Sequence, residues 1–228
     1  MILMVIATLT AVITPSMRDY LDDARQIKAK EDVEAIGTAV KRLLRDTGTG
    51  CLTDAPPACT LAARVDLLVS SGLDPTATGA AYTPPSASTV EGNANSNWIG
   101  GTDAVASGRQ DDMYDQLMTN AAGYTAASFA TGSAPRGGIG WRGAYLSGAI
   151  GPDPWSRKYQ ANTMFLLQAT DAGAGTTNGL VSGGWINDTL VISAGPDGII
   201  QTLFGSDATS GTMPTGDDVV YVVAGSSR

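Results

Sequence analysis

Histidine is absent from this 228-residue chain. That absence removes the Ser-His-Asp and Cys-His forms of nucleophilic catalysis, the histidine-containing zinc sites, and the commonest general base near neutral pH. An enzymatic role is therefore disfavoured. Positive charge is also scarce: 14 Lys and Arg against 22 Asp and Glu leave a net charge of −8. Binding phosphates takes clustered cations, so no nucleic-acid partner is expected, and the acidity serves solubility. No Lys or Arg precedes the opening apolar run MILMVIATLTAVI, and no A-x-A site follows it, so it does not read as a secretory signal peptide. At 13 residues it is also shorter than the roughly 20 apolar residues of a complete membrane span.

Cysteine occurs only twice, as Cys51 and Cys59 in GTGCLTDAPPACTLA. The two bracket Pro56-Pro57, which suits a short disulfide-closed loop and an oxidising compartment; two unrelated buried thiols are the alternative. Against these scarcities stand 43% hydrophobic residues and 28 glycines. The first is enough for one domain of ordinary size with a real core, and the second predicts long irregular segments.

The strongest periodic signal follows the apolar start. SMRDYLDDARQIKAKEDVEAIGTAVKRLLRDTG reads as one amphipathic helix, with Ile36, Val40, Leu43 and Leu44 on a single face. Leu21, Ala24 and Ile27 extend an apolar edge toward the start, and Gly48 is placed to end the helix. Pro15 is the only interior breaker and is expected to kink or loosen it. Residues 1–46 as one helix would reach about 70 Å. A small domain is about 30 Å across, so the apolar end should project and meet a membrane or copies of itself. This gives an apolar segment 1–15, an amphipathic part 16–46 and a globular head 47–228.

Within the head, residues 61–70 read as a short helix ending at Gly72, and RQDDMYDQLMTNAAGY as a helix docking Met113, Leu117 and Ala121. Residues 74–110 are rich in Gly, Ser and Thr, a long surface loop in which Trp98 is an anchor. Strand character appears at 159–168, at 190–193 and in DDVVYVVAG, which together suggest a small antiparallel sheet within residues 139–228. The fold class is α+β: a long N-terminal α-helix with a projecting apolar half, laid on an antiparallel β-sheet. In the acidic pairs Asp22-Asp23 and Asp111-Asp112, neighbouring side chains diverge, so neither makes an acid/base pair.

The apolar segment, the proline, the charged amphipathic continuation and the glycine stop resemble the N-terminal helix of type IV pilins and type II secretion pseudopilins. WRGAYL followed by DPWSRKY is similar to the W-x-G-P-Y-L and D-P-W-G-x-x-Y signature of the major pseudopilins. Trp141, Gly143, Tyr145, Leu146, Asp153, Pro154, Trp155 and Tyr159 match it, while Ala144 and Ser156 stand where the family usually has Pro and Gly. These residues read as structural: Pro154 sets a turn, Trp155 packs under the sheet and Asp153 caps backbone donors.

SAGPDGIIQT resembles the family's S-x-G-x-D-G loop, and GDD before the last strand resembles its acidic partner. In that family the two loops bind calcium. Transferred here, the resemblance implies carboxylates from Asp197, Asp217 and Asp218 and carbonyls from the segment Ser193 to Gly195, an oxygen-rich set that calcium favours. Asp207, in a longer insert, is a candidate replacement. The alternative is a pair of Asp-Gly turns with solvated carboxylates.

The function this implies is a structural subunit of a type IV pilus-like or pseudopilus filament. Met1, Ile2, Leu3, Val5, Ile6, Leu9, Val12, Ile13 and Pro15 would form the assembly helix. The partners would be copies of the chain and an inner-membrane assembly machinery, with the subunit held in the inner membrane before joining a periplasmic or surface filament. Asp22, Asp23, Arg25, Lys28 and Lys30 would set register between neighbours. Two other readings compete. One is a membrane-tethered adhesin or carbohydrate binder using the Gly/Ser/Thr-rich middle and Trp98. The other is a hydrolase pairing Asp153 with a second carboxylate.

Overall fold

The computed structural model describes residues 2–49, 51–53, 56, 65–77, 98, 110–127, 138–166, 188–204 and 214–224, and for residues 2–16, 77, 164 and 224 the backbone alone. The amphipathic signal becomes α1, Ile2–Thr47, a single helix of 46 residues. The helix continues unbroken through Pro15, so the expected loosening does not interrupt it. Its end is set locally. Gly48 takes φ +67°, and its N–H bonds the Leu44 carbonyl at 2.9 Å, the left-handed stop that glycine makes without steric cost. Among the described residues no helix is long and apolar enough to cross a membrane.

The C-terminal half of α1 packs on a five-stranded sheet. The strands are β1 (Leu67–Val69), β3 (Gln110–Asp112), β4 (Gln160–Ala161), β5 (Thr189–Ser193) and β7 (Val219–Ala224), ordered β3-β1-β4-β5-β7. β2 (Thr76–Ala77) and β6 (Ile199–Ile200) form a separate parallel pair. The large sheet is mixed rather than purely antiparallel, because β1 and β3 run parallel. It also draws two of its strands from outside residues 139–228. The reading of 61–70 as a helix is therefore corrected over its described part: Leu67, Leu68 and Val69 form a strand between β3 and β4, buried along its length. A three-residue apolar run buried on both faces has no helical or alternating period to betray it. RQDDMYDQLMTNAAGY likewise divides into β3 and a π-helical turn, Asp115–Thr119; Met113 and Leu117 are buried as foreseen, but Ala121, beyond the turn, is exposed. Among the described residues of 159–168, only Gln160–Ala161 is strand, followed by a 3-10 turn at Thr163–Phe165.

Two cores sandwich the sheet. Between helix and sheet lie Val33, Ile36, Val40 and Leu43 with Leu68, Tyr159, Val191 and Val223. On the opposite face lie Leu67, Val69, Leu190 and Ile192 with Trp98, Phe165 and Phe204. Trp98 meets Phe204 edge-on at 5.0 Å and donates its indole N–H to the Thr202 carbonyl at 2.8 Å. It is a core anchor, with no ring face left for a sugar.

Gly37 fixes how closely helix and sheet approach. A Cβ there would lie 2.3 Å from the Tyr221 ring, so only glycine lets that ring lie against the helix backbone. Lys41 sits 4.8 Å over the same ring and donates to its hydroxyl at 3.2 Å. A second tie is the Tyr159 hydroxyl, which donates to Asp32 Oδ2 at 2.8 Å while Lys28 pairs with the other carboxylate oxygen. Burial first, and then this bond, push the Tyr159 phenol well above its ordinary range.

Candidate functional site

Two turns at one end of β5 and β7 build the candidate site. The first follows β5, from Ala194 to Gly198, and the second precedes β7, from Gly216 to Asp218. They face each other because Ser193 pairs with Val219 at the end of the antiparallel ladder. A Cβ on Gly195 would lie 2.4 Å from the Asp217 carbonyl oxygen, so glycine at this left-handed position permits the approach. The Asp197 N–H then reaches Asp217 Oδ2 at 3.2 Å.

Asp153 anchors the first turn from behind. It is buried, and Oδ1 accepts the backbone N–H groups of Trp155 and Arg157 at 2.9 and 2.8 Å. Its Oδ2 accepts the Ser193 hydroxyl at 2.6 Å. This carboxylate holds the DPWSR turn and ties it to β5, and both of its oxygens are committed. As a hydrolytic acid or base it would need a free face that the geometry does not offer. The same turn carries Ser156 at φ +69°, a left-handed conformation that costs a non-glycine residue roughly 1–2 kcal/mol. Pro154 and Trp155 are half-buried in the turn, and buried Tyr159 exchanges hydrogen bonds with Ser70. Trp141 and Tyr145 stack edge to face at 5.8 Å on a separate segment, which is joined to the core by Tyr145 N–H to the Leu117 carbonyl.

The second turn contrasts with Asp153. Asp218 is 5% exposed. Its Oδ2 accepts N–H groups from Gln201 and Thr202 at 2.9 and 2.6 Å, while its Oδ1 has no partner. Asp217 Oδ1 and Gln201 Oε1 are also buried and unpartnered. Burial raises the Asp218 carboxyl above its usual range; the Thr202 and Gln201 bonds pull it back, and the Asp217 charge adds to the rise. Orphaned buried acceptors of this kind cost free energy unless something positive meets them.

Of the sequence-derived set, Ser193, Gly195, Asp197, Asp217 and Asp218 therefore meet in one place, with qualifications. The Ser193 hydroxyl donates to Asp153 Oδ2 and accepts from Gly195 N–H, so it is not free for a cation. Asp197 is exposed and its oxygens accept from Ile199 N–H and Gln201 Nε2. Among the described residues no three carboxylate, thiol or imidazole groups gather at one point. A calcium ion would thus be held by the two carboxylates of Asp217 and Asp218, completed by amide and carbonyl oxygens. The orphaned oxygens fit that chemistry. Gln201 carried no signal in the sequence, because its relevance comes from the turn that brings it beside Gly216.

Cys51 is buried and is not a free thiol, whereas Cys59 and Asp207 lie outside the described residues. Met1 does too, and for Ile2, Leu3, Val5, Ile6, Leu9, Val12, Ile13 and Pro15 the helix backbone is described without side chains. Of the charges proposed to set register, Asp22, Arg25 and Lys28 pair within α1: Arg25 with Asp22 at 3.2 Å, and Lys28 with Asp32. Compared with known proteins, the chain matches no family model, no curated protein and no solved structure at a significant level.

Proposed function

We propose that the chain is a structural subunit of a type IV pilus-like or pseudopilus filament, with a pilin-like fold, that polymerises through the N-terminal part of α1. The carrying observation is the split in α1. From Ala29 onward its apolar face is buried on the sheet, whereas residues 17–28 are exposed and present Met17, Tyr20, Leu21 and Ile27 to solvent. Helix backbone continues to Ile2, so about 40 Å of helix axis lies on the N-terminal side of Ala29. Apolar surface held away from its own core is stabilised when copies of the chain cover it, at about 25 cal/mol per Å2, and by less when the starting environment is lipid.

Two details of the head support the same reading. Ser156 is left-handed where the resembled signature has Gly, and the two loops that bind calcium in that family converge here on unpartnered oxygens. Calcium would fix those loops; the chain's own part is to hold Asp217 and Asp218 against the 195–202 turn. A Cys51–Cys59 bond would close the short proline loop. The subunit would wait in the inner membrane and then enter a periplasmic or surface filament, with no catalytic role. The sugar-binding reading loses its nominated platform with Trp98 in the core.

The test is electron microscopy of material sheared from native cells, with mass spectrometry of the filaments. Filaments containing this chain, cored by α1, are the expected result. A chain that stays monomeric in detergent and is absent from every filament fraction would overturn the reading.

A further inference from the structure

We infer that Gln201, and not Asp197, gives the third side-chain oxygen to a cation bound by Asp217 and Asp218, and that Asp197 is the positioning residue that aims it. This rests on the calcium reading above but reverses the role that the resemblance implies for Asp197.

The argument starts from what each group can donate. Gln201 Nε2 lies 2.6 Å from Asp197 Oδ2. An ionised carboxylate only accepts, so the amide nitrogen must be the end that faces it. The amide oxygen is thereby turned away from Asp197. Gly216 shows where it goes: a Cβ there would lie 2.4 Å from Gln201 Oε1. The oxygen rests against the backbone that leads directly into Asp217 and Asp218, at a residue with φ +72°.

In that position Oε1 is buried without a partner, as are Asp217 Oδ1 and Asp218 Oδ1. All three are acceptors, so none can satisfy another. Asp218 is also buried well beyond nine-tenths, so solvent does not serve it. Asp197 differs on both counts: it is exposed, and both of its oxygens already accept, Oδ1 from Ile199 N–H at 2.7 Å. Two carboxylates, one neutral amide oxygen and nearby carbonyls form a hard, oxygen-only donor set suited to calcium.

The experiment uses the full chain in detergent micelles, with calcium titrated by calorimetry and thermal unfolding followed with and without chelator. Wild type should bind calcium and melt higher in its presence. Gln201→Ala and the bulkier Gln201→Leu should each weaken binding roughly tenfold or more, while melting like wild type in chelator. Asp197→Ala should weaken binding by a similar factor. The Asp197→Ala/Gln201→Ala double variant should be no weaker than either single, because one residue acts through the other. Undiminished binding by both Gln201 variants, or additive losses in the double, would make Asp197 a direct ligand and overturn the inference while the calcium reading stands. No binding by wild type at millimolar calcium would remove both.

Discussion

The two halves of α1 are one helix in two environments. In the half that follows Lys28, Ala29, Val33, Ile36, Ala39, Val40 and Leu43 are all at most 1% exposed. In the stretch before it, Met17, Tyr20, Leu21 and Ile27 are 63, 76, 55 and 60% exposed. Both stretches have apolar residues at helical spacing, so periodicity alone does not separate them. What separates them is a partner: the sheet covers the first, and nothing among the described residues covers the second. The exposed half relies on propagation from the packed half and on intrahelical pairs such as Asp22 with Arg25, each worth only about 0.2–0.5 kcal/mol.

That contrast predicts a graded response to substitution. Leu43→Ala should cost the most, about 2–5 kcal/mol in denaturant unfolding, since it leaves a cavity at the helix–sheet seam. A loss below 1 kcal/mol would mean that the seam is not the core. Gly37→Ala should cost about 1–3 kcal/mol because its methyl meets the Tyr221 ring. Pairing it with Tyr221→Ala should recover part of the loss, and no recovery would argue against that contact as the cause.

Tyr159→Phe removes the bond to Asp32 and should cost about 1 kcal/mol at neutral pH. It should also change the alkaline limb of stability. The folded phenol keeps its proton above pH of about 10, where the unfolded one loses it, so the unfolded state binds fewer protons and wild-type stability falls as pH rises through that range. The Phe variant should lack this component, and identical alkaline unfolding of the two proteins would show that Tyr159 ionises freely in the fold.

The smallest effect on stability is expected in the exposed half. Leu21→Ser/Ile27→Ser should change unfolding by about 0.5 kcal/mol per site or less, yet reduce filament yield in cells. A large stability loss would place these side chains in a core of the single chain, and unchanged filament yield would remove them from the assembly surface.

The helix was legible in the sequence because its face repeats at Ile36, Val40 and Leu43 and because Gly48 stands at its end. β5 and β7 were legible as apolar runs beside Gly-rich turns. β1 was not, since Leu67-Leu68-Val69 is too short to show a period, and β3 was not, because Gln110-Asp111-Asp112 has no strand propensity and forms through its edge pairing with β1. The second core was hidden for a similar reason: Trp98, Phe165 and Phe204 are scattered along the chain and meet only in three dimensions. At the candidate site, the meeting of Asp197, Asp217 and Asp218 could be foreseen from resemblance. Which oxygens are spent on N–H groups and which are left over depends on turn geometry that no motif encodes.

The pairing of β7 with α1 also bears on the order of events in folding. Tyr221 seats against Gly37, and Val223 joins Val33, Ile36 and Val40 in one core, so the last strand completes a cluster begun near the start. Closing so long a loop is entropically slow. A nascent chain that has not yet released residues 219–224 leaves the Ile36 face of its helix without that cover. The head is therefore finished only after residues 219–224 have emerged, and a chain truncated before Val219 should be recognised and cleared as unfolded instead of accumulating in a folded form.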